Sequence, residues 1–387
     1  MPRILHIVPS LDQAHGGPLR LVLDLSAHAH TLGLESEVAG PAPLRADDNP
    51  LPPSLIHAFP VDGSAVWAHC SQLTTWLRAN LSRFQGVVIH GAWLFPGWTA
   101  SVECRRAGVP YAYYPHGMLE HWAVTGQGKA KELKKRLYWT LRERSIAKSA
   151  VATLFTTRKE RDLTRETFSI PTSGRILAPY GIAESVPAVT APQNPSLLQP
   201  AGSQIALFLG RLHPKKNPAL LIEAWRRAGV PRNWRLLFAG SGEPAFEQHL
   251  ASLVREAGLE ESIRFAGFVS GRDKQYLLQR AAWFLLPSSQ ENFGIAVLEA
   301  IEHGCAVVLS PGVYLTENFP NHSEILPVDP EPWADFLRDR MADDSWRTGI
   351  RDGNRRHLLA QYAMPIIVSN WVDTFSSLFS LHSQKAA

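Results

Sequence analysis

The stretch Ser288-Ser289-Gln290-Glu291-Asn292-Phe293-Gly294-Ile295-Ala296-Val297-Leu298-Glu299-Ala300 follows an apolar run, Trp283-Phe284-Leu285-Leu286, and passes through Gly294 into a pattern of helical period. A short apolar strand, a polar loop and then a helix make up the βα half of a parallel sheet. Open sheets of this kind bind ligands just beyond the carboxyl ends of their strands. Two carboxylates occupy that place: Glu291 in the loop and Glu299 inside the helix. At 1.5 Å per residue they stand at most roughly 12 Å apart, about the length of a nucleotide sugar. Between them Asn292 leads into the amides of Phe293, Gly294 and Ile295. Those amides belong at a helix N-terminus, where unpaired N–H groups and the helix dipole attract a diphosphate. The ordinary alternative is a helix cap at Glu291 and a solvated Glu299.

The same alternation runs outward in both directions and predicts βαβ units with largely parallel sheets. Upstream, strands are expected at residues 4–8, 35–39, 87–90, 111–114 and 152–156, with helices at 19–31, 67–81, 98–107 and 132–147. From 204 the pattern restarts, with strands at 205–209, 235–239, 263–265, 283–286 and 306–309 and helices at 218–228, 244–257, 273–280 and 295–303. The fold class is therefore α/β, two Rossmann-like doubly wound domains. Residues 185–202 are proline-rich and aperiodic, which reads as a semi-rigid linker at 191–203 between domains 1–190 and 204–362. In the tail, Ile366, Ile367, Trp371, Phe375, Leu378 and Phe379 recur at helical spacing, so residues 363–382 form an amphipathic helix expected to dock on the first domain.

Composition narrows the function classes. A chain of 387 residues with 45% hydrophobic and 19% charged residues is a folded, two-domain enzyme-like protein. Its formal charge of +4 suits phosphate-bearing substrates, an anionic membrane or nucleic acid, and does not choose among them. Three scattered cysteines, Cys70, Cys104 and Cys305, argue against a disulfide framework or a zinc knuckle. No export signal or spanning segment is read from the sequence, so a cytoplasmic location is expected, with a peripheral place on the inner membrane face as an option.

A second motif precedes the first by some eighty residues: Phe208-Leu209-Gly210-Arg211-Leu212-His213-Pro214-Lys215-Lys216-Asn217-Pro218. Here a strand end, a glycine turn and cations lead into a helix. Cations at a strand-to-helix loop stabilise the charge that develops on a departing diphosphate. Read alone, the segment is an ordinary basic turn.

Taken in order, Gly210-Arg211 with Asn217, then Gly240-Ser241-Gly242, Gly267-Phe268-Val269 and Glu291-x7-Glu299, the second half resembles the donor domain of the retaining glycosyltransferases of family 4, which have the B-type two-domain fold. The resemblance implies two domains facing each other across a cleft, with Arg211 and Lys216 on the donor phosphates and Lys215 as the alternative to Lys216. It further implies Glu299 on the ribose, Glu291 orienting the transferred sugar, Gly240 near the nucleotide and the Phe268-Val269 backbone facing the base. Retention by front-face attack, with the leaving phosphate helping to take the acceptor proton, is also implied.

In the first half, the Gly16-Gly17 pair after the first strand lets backbone approach a phosphate or acceptor closely. His116, in Tyr114-Pro115-His116-Gly117-Met118, corresponds to a histidine of similar family members and is read as a hydrogen-bond donor to the donor sugar. One segment departs from the family pattern: Pro179-Tyr180-Gly181-Ile182-Ala183 stands where Asn-Gly-Val/Ile-Asp is common.

No Asp-x-Asp and no helical His-x-x-x-His occur, so no cofactor and no divalent metal are expected. Neither a dinucleotide Gly-x-Gly-x-x-Gly after the first strand nor a Gly-x-Ser-x-Gly elbow is present. From Lys129 to Lys148 the chain is basic, with an apolar stripe of Leu133, Leu137, Trp139 and Leu141. A solvated helix face competes here with an anionic lipid surface beneath a lipid-linked acceptor, and nucleic acid is not expected as a partner. The combined expectation is hexose transfer from a UDP-sugar, UDP-glucose the first choice, to a lipid-linked saccharide in surface or exopolysaccharide biosynthesis. Rival readings are a UDP-sugar epimerase of similar fold and a non-catalytic sugar-nucleotide-binding protein.

Overall fold

The structure, a computed structural model, describes residues 2–12, 17–42, 51–126, 128–170, 174–319 and 324–383. Two parallel sheets organise it. The first contains β1 (Arg3–Ile7), β2 (Glu35–Pro41), β3 (Ile56–Phe59), β4 (Gly86–His90), β5 (Tyr111–Tyr114), β6 (Ala152–Phe155) and β7 (Gly174–Ile176), in the order β3-β2-β1-β4-β5-β6-β7. The second contains β8 (Gln204–Leu209), β9 (Trp234–Ala239), β10 (Ile263–Gly267), β11 (Ala281–Leu286), β12 (Ala306–Leu309) and β13 (Glu324–Ile325), in the order β10-β9-β8-β11-β12-β13. Each order reverses direction beside its first strand, between β1 and β4 and between β8 and β11. Loops leave those neighbouring strands toward opposite faces, which opens a crevice at their carboxyl ends. The strands at both reversals are buried throughout or nearly so, as their continuous apolar runs require.

The expected elements are present with ends moved by a few residues. Unexpected are β3, β7, β13 and the helices His121–Thr125, Arg158–Thr167, Pro330–Asp339 and Asp344–Tyr362. The helix expected at 132–147 is interrupted: Lys129–Tyr138 passes through a π-helical turn, Trp139–Glu143, into Arg144–Ser149. Trp139, at the start of that turn, is buried, and its ring stacks on Phe168 at 4.1 Å.

By its contacts the chain falls into two compact units, one of residues 1–181 and 364–387, the other of 182–363. The crossing thus comes earlier than the linker expected at 191–203. The proline-rich stretch is instead strapped along the helix Gly271–Arg280 of the second unit. Val189 N donates to Gln279 Oε1 (2.8 Å), Gln193 N to Asp273 Oδ1 (2.6 Å) and Arg272 Nε to the Ala191 carbonyl (3.0 Å). Prolines leave few backbone donors in such a segment, and those of Val189, Gln193 and Asn194 are taken up by side chains of one helix.

The C-terminal helix Met364–Ser383 belongs to the first unit. Trp371 is buried and donates its Nε1–H to the Ala178 carbonyl (3.0 Å). Phe379 lies so close to Gly86 that a Cβ there would meet its ring at 2.3 Å, which explains glycine at the start of β4. No helix among the described residues is long and apolar enough to cross a membrane.

Candidate active site

In the second unit the glycine turn after β8 and the loop after β11 flank the sheet reversal and are joined to each other. Ser289 N donates to the Lys215 carbonyl (2.8 Å), and Lys215 Nζ donates to Gln290 Oε1 (3.1 Å). Asn217, held at φ 51°, donates its side-chain amide to the Pro287 carbonyl (2.7 Å) and to Ser289 Oγ (2.8 Å). Its left-handed conformation lets the chain turn sharply from the Pro214–Lys216 turn into the helix Pro218–Ala228.

This frame brings Lys216 and Glu291 together. Lys216 Nζ lies 2.6 Å from Glu291 Oε2, with side chains only 13% and 20% exposed. Burial pushes the Glu291 carboxyl up, but Lys216, Lys215 and Arg211 outweigh it and hold the group below its ordinary value. Arg211 is exposed, and no ion pair engages it among the described residues. His213 accepts the Lys215 N–H at Nδ1 (3.2 Å); burial, with Arg211 and Lys215 nearby, lowers its pKa and favours the neutral ring.

Close backbone approach shapes this rim. Gly240, at φ 141°, has its Cα so near Gly210 that a Cβ would stand 2.0 Å from the Gly210 carbonyl oxygen. Glu291 itself extends the sheet edge: its N–H bonds the Gly312 carbonyl (2.8 Å) and its carbonyl accepts from Tyr314 N (3.0 Å). Gly294, at φ 76°, caps the helix Ile295–Glu302. Before it, Phe293 is buried with its ring against Tyr362, which fixes the approach of the loop. Asn292 stands between Glu291 and that anchor.

Glu299 lies in the second turn of this helix, where Lys274 of the helix Gly271–Arg280 meets it at 2.7 Å. Sequence reading missed Lys274, which lies twenty-five residues from its partner with no motif of its own. Beyond β10, Phe268 is 68% exposed while Val269 is buried. An exposed phenyl at a strand end is available for stacking on a planar ring.

The first unit carries the remaining candidates. Gly16 lies outside the described residues, and Gly17 opens the helix Gly17–Thr31. His116 follows β5 at φ 51°, with Gly117 next at φ 77°. Its ring stacks on Tyr114 at 4.0 Å, and its Nε2 lies 2.9 Å from His90 Nδ1. His90 Nε2 in turn lies 3.0 Å from His6 Nδ1. Neither His6 nor His90 was singled out in the sequence, because each looks like a single polar residue in an apolar strand. Adjacent to this chain, Trp93 sits at φ 73°, and its N–H is held by Glu143 Oε2 (3.1 Å). Burial pushes that carboxyl up to about 7, against the opposing hydrogen bond from Tyr113 OH (2.6 Å).

The family model for glycosyl transferases group 1 matches residues 191–342, and that for the glycosyl transferase 4-like domain matches 16–181. The chain belongs to the group 1 glycosyl transferases. Among relatives of this glycosyltransferase, the D-inositol 3-phosphate glycosyltransferase of Frankia alni is 28% identical over 369 residues, 87% of this chain and 89% of that protein. An O-antigen chain mannosyltransferase B of Escherichia coli is 31% identical over 144 residues, 37% of this chain and 38% of its own. In three dimensions the glycosyltransferase is similar to the Anabaena protein HepE, solved with UDP and glucose (TM-score 0.75, 15% identity, 97% of this chain and 100% of that one). Sucrose-phosphate synthase of Thermosynechococcus elongatus is similar to the same degree (TM-score 0.75, 17% identity, 98% and 100%). These likenesses establish the B-type glycosyltransferase fold.

Proposed function

We propose that this glycosyltransferase moves a hexose, with retention of configuration, from a UDP-sugar to a lipid-linked saccharide acceptor, with UDP-glucose the first donor to test and no metal ion required. The observation that carries the reading is the cluster of Arg211, Lys215 and Lys216 around Glu291, at the sheet reversal of the second unit and beside the amides that open the helix Ile295–Glu302. Those cations and amides would take the negative charge that grows on the departing diphosphate. Glu291 would orient the sugar, Glu299 with Lys274 the ribose, and Phe268 with Val269 the base.

The solution of HepE with UDP-glucose supports a uridine donor, and the mannosyltransferase relative is the reason to test others. A panel of UDP-, GDP- and ADP-sugars with a bacterial lipid extract, followed by nucleotide release and glycolipid mass, is expected to select one UDP-sugar. Turnover should persist in EDTA, and proton NMR should show the donor's anomeric configuration in the product. Donor consumption without acceptor would favour the epimerase instead. Binding of UDP-sugars with no turnover under any acceptor would leave only the non-catalytic reading.

An anionic bilayer is the proposed site of work. Leu133, Leu137 and Leu141 are 70%, 58% and 69% exposed, four residues apart, on the basic stretch that begins at Lys129. Trp139 is buried and Lys135 turns inward to the Ala123 carbonyl, so the membrane-facing set is smaller than the sequence suggested. Replacing the three leucines by Ser is expected to weaken binding to vesicles containing phosphatidylglycerol by about ten- to a hundredfold, since each buried apolar side chain contributes about 1 kcal/mol at an interface. Co-sedimentation measures it; equal binding of the unaltered protein to neutral and anionic vesicles would remove the proposal.

A further inference from the structure

His6, His90 and His116 form a hydrogen-bonded chain along the carboxyl ends of β1, β4 and β5. The links are Nδ1 of His6 to Nε2 of His90 (3.0 Å) and Nδ1 of His90 to Nε2 of His116 (2.9 Å). The His90 and His116 rings lie nearly parallel, 5.2 Å apart. At the inner end His6 is wholly buried, flanked by Trp371 and Phe375 of the C-terminal helix. Its Nε2 has no hydrogen-bond partner among the described residues. At the outer end His116 is half-buried, and no described residue bonds its Nδ1.

Burial holds His6 and His116 to about 3, and burial with the neighbouring rings lowers His90 well below its ordinary value, so all three are neutral. A neutral imidazole carries one ring proton, and each link needs one proton between its two nitrogens. Only two arrangements satisfy both links. If every ring carries its proton on Nε2, His6 buries an N–H with no acceptor and His116 shows a bare Nδ1. If every ring carries it on Nδ1, His6 buries an unprotonated nitrogen and His116 shows an N–H. Orphaned buried N–H groups are rarer in folded proteins than under-satisfied acceptors, which favours the second arrangement.

We propose that His6 and His90 are positioning residues that fix His116 as its Nδ1–H tautomer, so that its outer nitrogen meets the substrate as a hydrogen-bond donor and not as a base. A donor suits a ring that polarises or orients a sugar hydroxyl, and a neutral one adds no charge for the leaving phosphate to compete with. The substrate contact rests on the function proposed above; the tautomer does not. His90 is the decisive member because it touches both of the others. A phenylalanine there keeps the packing and loses both links. An asparagine can still place an amide N–H where His90 Nδ1 stands.

The test is nitrogen NMR of the full-length protein labelled at its histidine ring nitrogens, with His116 assigned by comparison with His116→Ala. The unaltered protein is expected to show His116 protonated at Nδ1 and unprotonated at Nε2. His90→Phe should move His116 toward the Nε2–H form, and His90→Asn should keep the original pattern. In turnover, His90→Phe should lower kcat by about ten- to a hundredfold with the donor KM changed less than about threefold, and His90→Asn should recover most of it. A His116 proton on Nε2 in the unaltered protein overturns the proposal, as does a His90→Phe spectrum identical to it. Should His90→Phe not fold, the unaltered protein alone decides. If the tautomer is as expected yet His116→Ala transfers sugar at full rate, the proposed substrate contact fails while the relay stands.

Discussion

Replacing Lys216 by Ala is expected to lower kcat with the nucleotide sugar by about a hundred- to a thousandfold, the usual cost of removing one group that stabilises a developing anion. Two losses combine. The ammonium proposed to face the leaving diphosphate is gone, and Glu291 keeps its buried place without the partner 2.6 Å away. Because burial is the largest influence on that carboxyl and raises its pKa, removing the main opposing cation should leave it protonated over more of the acid range. An uncompensated buried charge costs about 3–5 kcal/mol, and the 13% and 20% exposure of this pair places the loss nearer about 2–3 kcal/mol. Adding Glu291→Gln to Lys216→Ala should therefore restore part of the stability and none of the turnover. The sign with pH follows from the lowered carboxyl. Its stabilisation is complete above the unfolded-state value of about 4.5 and is lost as pH falls through the lower folded value. Steady-state kinetics and thermal melts of the two variants and the double variant measure all of this. Full turnover by Lys216→Ala would remove Lys216 from the phosphate site and point to Lys215, whose Nζ donates to Gln290 Oε1 (3.1 Å).

The fold was legible wherever hydrophobic period was strong. Strands such as β11 and β12 are unbroken apolar runs, and Pro218 and Gly229 mark both ends of a helix that was located residue for residue. β13 has two residues and β7 three, too few for any period to show. The proline-rich segment looked like a linker because its own sequence offers no pairing. What holds it is a set of acceptors on another element, Asp273 and Gln279, that local reading does not connect to it.

The site divides in the same way. Glu291, Gly294 and Glu299 are legible together because a loop and a helix place near neighbours in sequence near each other in space. Lys216 was preferred to Lys215 only by resemblance; the structure gives a separate reason, the ion pair with Glu291, while Lys215 bonds an amide. Lys274, His6 and His90 depend on which strands and helices become neighbours. His6 and His90 are 84 residues apart and meet only because β1 and β4 are adjacent at the sheet reversal. Trp139 does not share the leucine face because it stands two residues beyond Leu137, about 200° around an α-helix, and it packs inward on Phe168.

Gly240→Ala is expected to destabilise the second unit by about 3–4 kcal/mol and lower its melting temperature by roughly 10 °C. Two effects would contribute, and a second glycine separates them. At Gly258, φ is 65° and nothing lies within 4 Å of an added Cβ, so Gly258→Ala reports the conformational cost alone, about 1 kcal/mol. At Gly240, φ is 141° and the added carbon meets the Gly210 carbonyl at 2.0 Å, with backbone on both sides and no side chain to swing away. Relief requires β8 and β9 to part where Gly210 N bonds Ala239 O (2.9 Å), while on the other side Gly240 N is tied to the end of β10 by its bond to Gly267 O (2.7 Å). That separation would also shift the turn holding Arg211 and Lys216 relative to Glu291, because that turn leaves β8 directly at Gly210, with Lys216 Nζ only 2.9 Å from where a Cβ on Gly210 would stand. Calorimetric titration with UDP should therefore show binding lost in Gly240→Ala and retained in Gly258→Ala, both read well below their melting temperatures. Equal melting shifts in the two variants would mean that the strand ends are not in such close contact. The glycine at 240 would then be there for its backbone freedom alone, and the rim would owe its shape to the side-chain bonds of Asn217 and Lys215.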